Sequence, residues 1–244
     1  MRGPGFVIQV VRLVRLVRLA HVEQALSHMR DASIIAAFDF DGTISTTDSL
    51  RVFVRDTVGT TRFVAGAVRA SPWLIGAALR LVDRGTAKAA FLRATLGART
   101  RAQLEDDAQR FVTQQLPRLL RPEMLARLRQ HRTMGHRVVL VSASPDLYLR
   151  PWAASVGFDA VLSTELAFDE QGRFAGRFAQ PNCWGPEKVR RLEAWWANSP
   201  PRVLFVYGDS RGDKEMAERA DHAWIRGEGT LMPVMDVDAP GTPS

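Results

Sequence analysis

The segment Ile34–Phe38 reads IIAAF and ends without transition in Asp39-Phe40-Asp41-Gly42-Thr43. A run too short for a helix, and apolar throughout rather than alternating, suits a strand covered on both faces, which is the habit of parallel sheets. Its abrupt polar end predicts a loop at the strand's carboxyl end, carrying two acids two residues apart. Comparable runs recur at residues 137–141 (RVVLV, followed by Ser142), at 161–163 after Phe158, at 203–207 (VLFVY, followed by Gly208-Asp209-Ser210), and more weakly at 223–225. Helical stretches are expected between them at 122–131, 147–156, 187–197 and 214–220. Strands alternating with helices predict an α/β chain with a parallel sheet and right-handed crossovers. Chemistry in such sheets gathers at the carboxyl ends of the strands, where Asp39, Ser142 and Asp209 are expected.

About a hundred residues separate the first two runs, far more than one crossover needs. Residues 47–119 read as a helical insertion, leaving 31–46 and 120–232 as the core. Thr100 and Gln103 predict a capping box. The apolar stretch 63–82 is interrupted by Arg69, Pro72 and Arg80, so it predicts a helical hairpin rather than a membrane span. Gly172 between β-prone flanks predicts a β-hairpin over 166–178. Of the chain's net charge of +7, the stretch 45–101 carries all, with ten Lys or Arg against three acids. That suits an anionic partner such as a phosphate ester or an anionic membrane, or simply a solvated helical face. No nucleic-acid motif accompanies it, so nucleic acid is not expected as a partner.

Residues 10–20 read VVRLVRLVRLA, within a basic arm spanning 1–30. Its arginines exclude both a signal-peptide core and a membrane span. A basic amphipathic helix making peripheral contact with an anionic membrane and a dispensable extension ahead of Met29 are both open. The Pro-rich stretch 233–244 reads as a disordered tail. A single cysteine, Cys183, excludes an intrachain disulfide and points to a reducing, cytoplasmic setting. Neither His136 nor His222 has a partner visible in the sequence.

The strand ends would bring together Asp39, Asp41, Asp209 and Asp213 with one cation, Lys188. Four carboxylates would repel a phosphate dianion unless a divalent ion were bound, and hard oxygen ligands suit Mg²⁺. These segments resemble, in order, the four motifs of the haloacid dehalogenase-like (HAD) superfamily. Asp39-Phe40-Asp41-Gly42-Thr43-Ile44 is similar to the first, and Val139-Leu140-Val141-Ser142 to the second. Lys188 in Gly185-Pro186-Glu187-Lys188 is similar to the third, and Gly208-Asp209-Ser210-Arg211-Gly212-Asp213 to the fourth. The insertion resembles the type 1 cap of subfamily IB, which includes phosphoserine phosphatases and type C phosphatidylglycerophosphate phosphatases.

The resemblance implies a Rossmann-like core with an inserted helical cap, and a Mg²⁺-dependent phosphomonoesterase. Asp39 would be the nucleophile forming an aspartyl-phosphate, Asp41 the general acid and base, and Lys188 a charge-offsetting group. Thr43 and Ser142, with Ser144 sharing the role, would contact the phosphoryl oxygens, with Gly42 turning the backbone beneath them. Asp39, Asp209 and the Asp41 backbone carbonyl would bind the metal, and Asp213 would complete the site by holding a metal-bound water or Lys188. Dehalogenase members lack the acid two residues after the nucleophile, so Asp41 favours phosphoester chemistry. Gly212 stands where phosphoserine phosphatases more often have Asn, and Asp48 stands where they carry a substrate-reading acid, though a helix N-cap explains Asp48 equally well. The implied substrate is a lipid-linked phosphate or a phosphorylated small molecule such as phosphoserine. The alternatives are a phosphotransferase or mutase of the same fold and a non-catalytic membrane-surface binding protein.

Overall fold

The computed structural model describes residues 34–97, 99–197 and 199–234. The basic arm and most of the tail read from the sequence lie outside these residues. Five parallel strands form the main sheet: β1 (Ile34–Phe38), β2 (Arg137–Pro145), β3 (Ala160–Thr164), β6 (Val203–Gly208) and β7 (His222–Ile225). Their spatial order is β3-β2-β1-β6-β7, so β1 is the central strand. Alternation along the strands splits their residues between two faces. Ile34, Ala36, Phe38, Val138, Leu140, Phe205 and Tyr207 pack on one side with α5 (Pro122–Thr133) and α6 (Asp146–Val156). Ile35, Ala37, Val139, Val141, Leu204 and Val206 pack on the other with α7 (Pro186–Trp196) and α8 (Lys214–Glu218). This is a Rossmann-like α/β core.

Aromatic packing anchors the first face. Phe38 stacks on Tyr207 with centroids 4.6 Å apart and meets His131 and Phe158 edge-on. Truncating a fully buried phenylalanine of this kind to alanine costs about 3–5 kcal/mol. His131 binds the Tyr207 hydroxyl at 2.7 Å and the His136 ring at 2.8 Å. His136, which has no partner visible in the sequence, therefore finds one across the turn between α5 and β2. His222 likewise stacks on Phe205. Val234 is buried against the same cluster.

The cap is inserted between β1 and β2. It comprises α1 (Ser49–Arg69), α2 (Ser71–Ala78), α3 (Arg84–Leu96) and α4 (Arg101–Gln114). The two chain crossings are tied together: Thr46 N–H donates to Leu119 O at 2.7 Å and Arg121 N–H to Ile44 O at 2.8 Å. The predicted hairpin is present as β4 (Leu166–Phe168) and β5 (Phe174–Phe178), and it braces the cap through Arg101 N–H to Gly172 O and Phe174 N–H to Arg99 O. Thr100 and Gln103 form the expected capping box. Pro72 opens α2 rather than breaking a helix, because its missing N–H costs nothing in a first turn. One break went unread: α1 is interrupted at Gly59 (φ +76°, ψ 162°), a conformation essentially restricted to glycine. Among the described residues no helix is long and apolar enough to cross a membrane.

Candidate active site

Asp39 leaves the end of β1 with its N–H donating to Tyr207 O on β6, which holds the backbone at the carboxyl end of the sheet. Its buried carboxylate accepts from Thr43 Oγ1 at 3.0 Å and from Lys188 Nζ at 2.6 Å. Lys188 lies in the first turn of α7 and bridges to Asp213 Oδ1 at 2.5 Å. The other Asp213 oxygen accepts from the backbone N–H groups of Asp209 and Ser210, at 3.1 and 3.2 Å. Asp213 thus fixes the loop that presents Asp209.

Gly42 explains how the two acidic loops approach each other. It has φ +80°, and a Cβ there would fall 1.9 Å from Asp209 Oδ2. The position demands glycine twice, for its backbone angle and for the space that the carboxylate takes. Asp39, Asp209 and Asp213 each offer an oxygen, all within 4.8 Å of one another. Three carboxylates balanced by one lysine leave an excess of negative charge, and hard oxygen donors of this kind fit a divalent cation.

Asp41 points elsewhere. Its carboxylate accepts from the Ser49 N–H at 2.7 Å, at the start of α1, and from the Ser144 hydroxyl on β2. Ser49 Oγ in turn pairs with the Tyr148 hydroxyl at 2.9 Å. Core and cap therefore grip this acid together. Asp48 caps α1 by accepting from Arg51 N–H at 3.0 Å.

Electrostatics separate these groups. Burial, opposed by Lys188, raises the Asp39 carboxyl to about 7 in the absence of a cation. Burial also raises Asp41, with Asp48 adding to the effect and the serine hydrogen bonds opposing it. Burial alone would lower Lys188, but the Asp39 and Asp213 carboxylates outweigh it and hold the ammonium above its ordinary value. Asp209, half-buried, is raised by desolvation.

A cavity of about 900 Å³ opens over this site between core and cap. Asp39, Asp41, Gly42, Ser144, Lys188 and Asp209 line it. Thr43, Ser142 and Asp213 are buried and bonded to residues that do. Ser142 does not follow the strand, as its sequence position suggests; β2 runs on to Pro145 through an irregularity after Ser142, and the Ser142 hydroxyl accepts from Ser144 N–H at 3.1 Å. Of these two serines, Ser144 is consequently the one that lines the cavity.

The sequence reading missed Lys88, Ser49, Tyr148 and Trp184. Lys88, on α3, reaches from the cap to donate to Ala143 O at 2.6 Å, and burial lowers its pKa against the opposing pull of Asp41 and Asp48. A signal for it existed: the chain has three lysines, Lys88, Lys188 and Lys214, among 33 basic residues, and two of the three line the site. Trp184 has a counterpart that is legible only in space. A Cβ on residue 212 would lie 2.4 Å from its indole nitrogen, so Gly212 is glycine because Trp184 occupies the space above it. Arg84 from the cap stacks on the same indole at 5.0 Å.

A parallel sheet that presents a lysine-paired aspartate and an acidic cluster beneath an inserted helical cap places the chain in the capped Rossmann-like class, with a candidate active site at the strand ends. A model of the haloacid dehalogenase-like hydrolases matches residues 36–218, and the chain belongs to that family. It is 38% identical over 193 residues to protein CicA of Caulobacter vibrioides, covering 79% of this chain and 86% of that protein. A probable phosphatase of Mycobacterium tuberculosis is 30% identical over 97 residues, covering 39% of this chain and 33% of that protein. Among solved structures, a Bordetella pertussis protein of unknown function superposes with a TM-score of 0.65 at 20% identity, covering 79% of this chain and 89% of that one. A probable phosphoserine phosphatase of Vibrio cholerae does so with a TM-score of 0.59 at 13% identity, covering 79% and 55%. At these identities the structural likenesses speak to the fold.

Proposed function

We propose that the chain is a divalent-metal-dependent phosphomonoesterase of the IB type, acting through an aspartyl-phosphate on Asp39, with an amphiphilic phosphate ester as substrate. The observation that carries this reading is the cavity between core and cap, polar at one end and apolar at the other. Its floor holds Asp39, Asp41, Lys188 and Asp209, and its far wall is made by Phe63, Ala67, Leu74, Ala77, Ala78 and Phe91 of the cap. A small zwitterion such as phosphoserine would leave that apolar wall facing water, whereas an acyl or prenyl chain would cover it.

The chemistry follows from the placement of the acids. Asp39 attacks phosphorus, the bond to the leaving oxygen breaks, and Asp41 supplies the proton that this oxygen needs. Burial keeps Asp41 protonated at higher pH than an ordinary aspartate, which fits an acid, while Ser49 and Ser144 aim it. In the second step Asp41, now a carboxylate, takes a proton from water as the water displaces Asp39 and inorganic phosphate leaves. Lys188 offsets charge on Asp39, and Lys88 brings a second cation from the cap. A Mg²⁺ ion held by Asp39, Asp209 and the Asp41 backbone carbonyl would neutralise phosphoryl oxygens and keep Asp39 ionised. The decisive experiment is a turnover screen with Mg²⁺ across phosphatidylglycerophosphate, a prenyl phosphate and phosphoserine, for wild type and Asp39→Asn. Equal turnover by the two proteins would remove Asp39 as nucleophile, and preference for phosphoserine would remove the amphiphilic substrate.

A further inference from the structure

The eight large apolar side chains that stand well exposed among the described residues are concentrated in one place. Val64, Val68, Trp73, Leu74, Ile75, Leu79 and Leu81 all lie at the tip of the cap, on the end of α1, on α2 and on the turn that follows; only Met232 lies elsewhere. Leu81 is 78% and Val68 67% exposed. At that turn Arg80 takes a left-handed conformation (φ +62°) between the exposed Leu79 and Leu81. Scattered single apolar residues need no explanation, but seven within 18 consecutive positions, 64–81, form a patch of the kind that marks an interaction surface.

Charge narrows what the patch meets. Between Asp56 and Glu105 the chain has one acid, Asp83, against eight basic residues, and Arg62, Arg69 and Arg80 fall within or beside the apolar tip. A two-fold pairing of copies through this face would bring each basic rim against the other. The chain's own N-terminal arm, with Arg12, Arg15 and Arg18, carries the same sign. An anionic bilayer surface instead takes both features together, apolar side chains entering the acyl boundary and arginines meeting headgroup phosphates. The patch is also continuous with the cavity: Phe63, Ala67, Leu74, Ala77 and Ala78, on the same two helices, line its far wall.

We infer that the tip of the cap, formed by the end of α1, by α2 and by the turn through Leu81, is a docking surface for an anionic membrane. The Trp73 ring, 44% exposed, sits at the interface, and the apolar end of the cavity, lined by Leu74, Ala77 and Ala78, adjoins it. The docking does not depend on the chemistry assigned to Asp39, so a water-soluble phosphate ester reads the catalytic site separately.

The test uses the full chain with vesicles of phosphatidylcholine containing phosphatidylglycerol, and of phosphatidylcholine alone. Wild type is expected to co-sediment with the anionic vesicles, and the combined Ile75→Ser, Leu79→Ser, Leu81→Ser variant to lose about tenfold or more of that affinity. The substituted side chains are exposed, so the variant keeps the wild-type melting temperature. Lipid with brominated acyl chains quenches the Trp73 emission, and Trp73→Phe removes that quenching with little change in shape. Unchanged vesicle affinity in the triple variant, or quenching indifferent to Trp73→Phe, overturns the inference, because contact would then run through another surface such as the N-terminal arm. Lipid-free self-association that the triple variant abolishes also overturns it, assigning the patch to a second copy.

Discussion

Replacing Asp39 by Asn should abolish turnover and, in the metal-free protein, raise stability. The buried Asp39 carboxyl is held at about 7 instead of its ordinary 3.8. At about 1.4 kcal/mol for each pH unit between those values, ionised Asp39 destabilises the folded chain by up to about 4 kcal/mol above pH 7. The sign is that of a raised carboxyl: the folded state holds its proton longer than the unfolded state. The Asp39 contribution is therefore most favourable below pH 4, declines as pH rises through 7, and is level beyond. Asparagine cannot ionise, so the variant loses this slope, although it also loses a charge partner for Lys188, which keeps Asp213. The net gain at pH 8 is about 1–3 kcal/mol, or roughly 3–10 °C in melting temperature for a chain of this size. Between pH 8 and pH 5 the balance should move by about 3 kcal/mol toward wild type, so that the variant's advantage vanishes or reverses. Thermal melts of both proteins in chelator across pH 5–8 measure it. A difference between the proteins that does not vary with pH would refute the burial argument. Added Mg²⁺ should stabilise wild type more than the variant, since the ion loses a ligand.

Three further outcomes follow from the geometry. Gly42→Ala drives a methyl group into Asp209, so Mg²⁺ titrations of activity should show about 10–100-fold weaker metal dependence, with the fold retained by circular dichroism. Lys88→Met removes a cap cation from the cavity, and kcat/KM should fall about 10–100-fold, the worth of a hydrogen bond to a charged group. His131, lowered to about 3 by burial with His136 and Arg127 adding to it, stays neutral in the fold while the unfolded chain takes a proton near 6.5. Its contribution is thus lost as pH falls from 6.5 toward 3, by up to about 5 kcal/mol, and His131→Leu should flatten that acid limb in urea melts; an unchanged limb would exclude His131 as its source.

Much of the core was legible because its strands obey a simple rule. A strand covered on both faces must be apolar at every position, so β1, β2 and β6 announce themselves as short unbroken runs, and the acids that end β1 and β6 are conspicuous against them. The Thr100–Gln103 capping box was legible for a similar reason, since its donors and acceptors lie within one helical turn. The break at Gly59 was not, because an isolated glycine in a helical pattern gives no sign of its backbone angle. Ser142 and Ser144 could not be separated either, since the irregularity that carries β2 past Ser142 depends on its pairing with β3.

The sequence by itself determined that the chain is a parallel α/β protein and that Asp39, Asp41 and Asp209 stand at strand ends, where such a sheet delivers chemistry, while Lys188 was marked by its place in the motif order. These are local facts of pattern and order. Tertiary structure alone decided that Lys188 bridges Asp39 and Asp213, that Ser49 and Ser144 hold Asp41, and that Lys88 enters from the cap. It alone explains Gly42 by Asp209 and Gly212 by Trp184. Most of these pair residues distant in the chain, and no period or motif encodes the distance between side chains that only tertiary packing brings together.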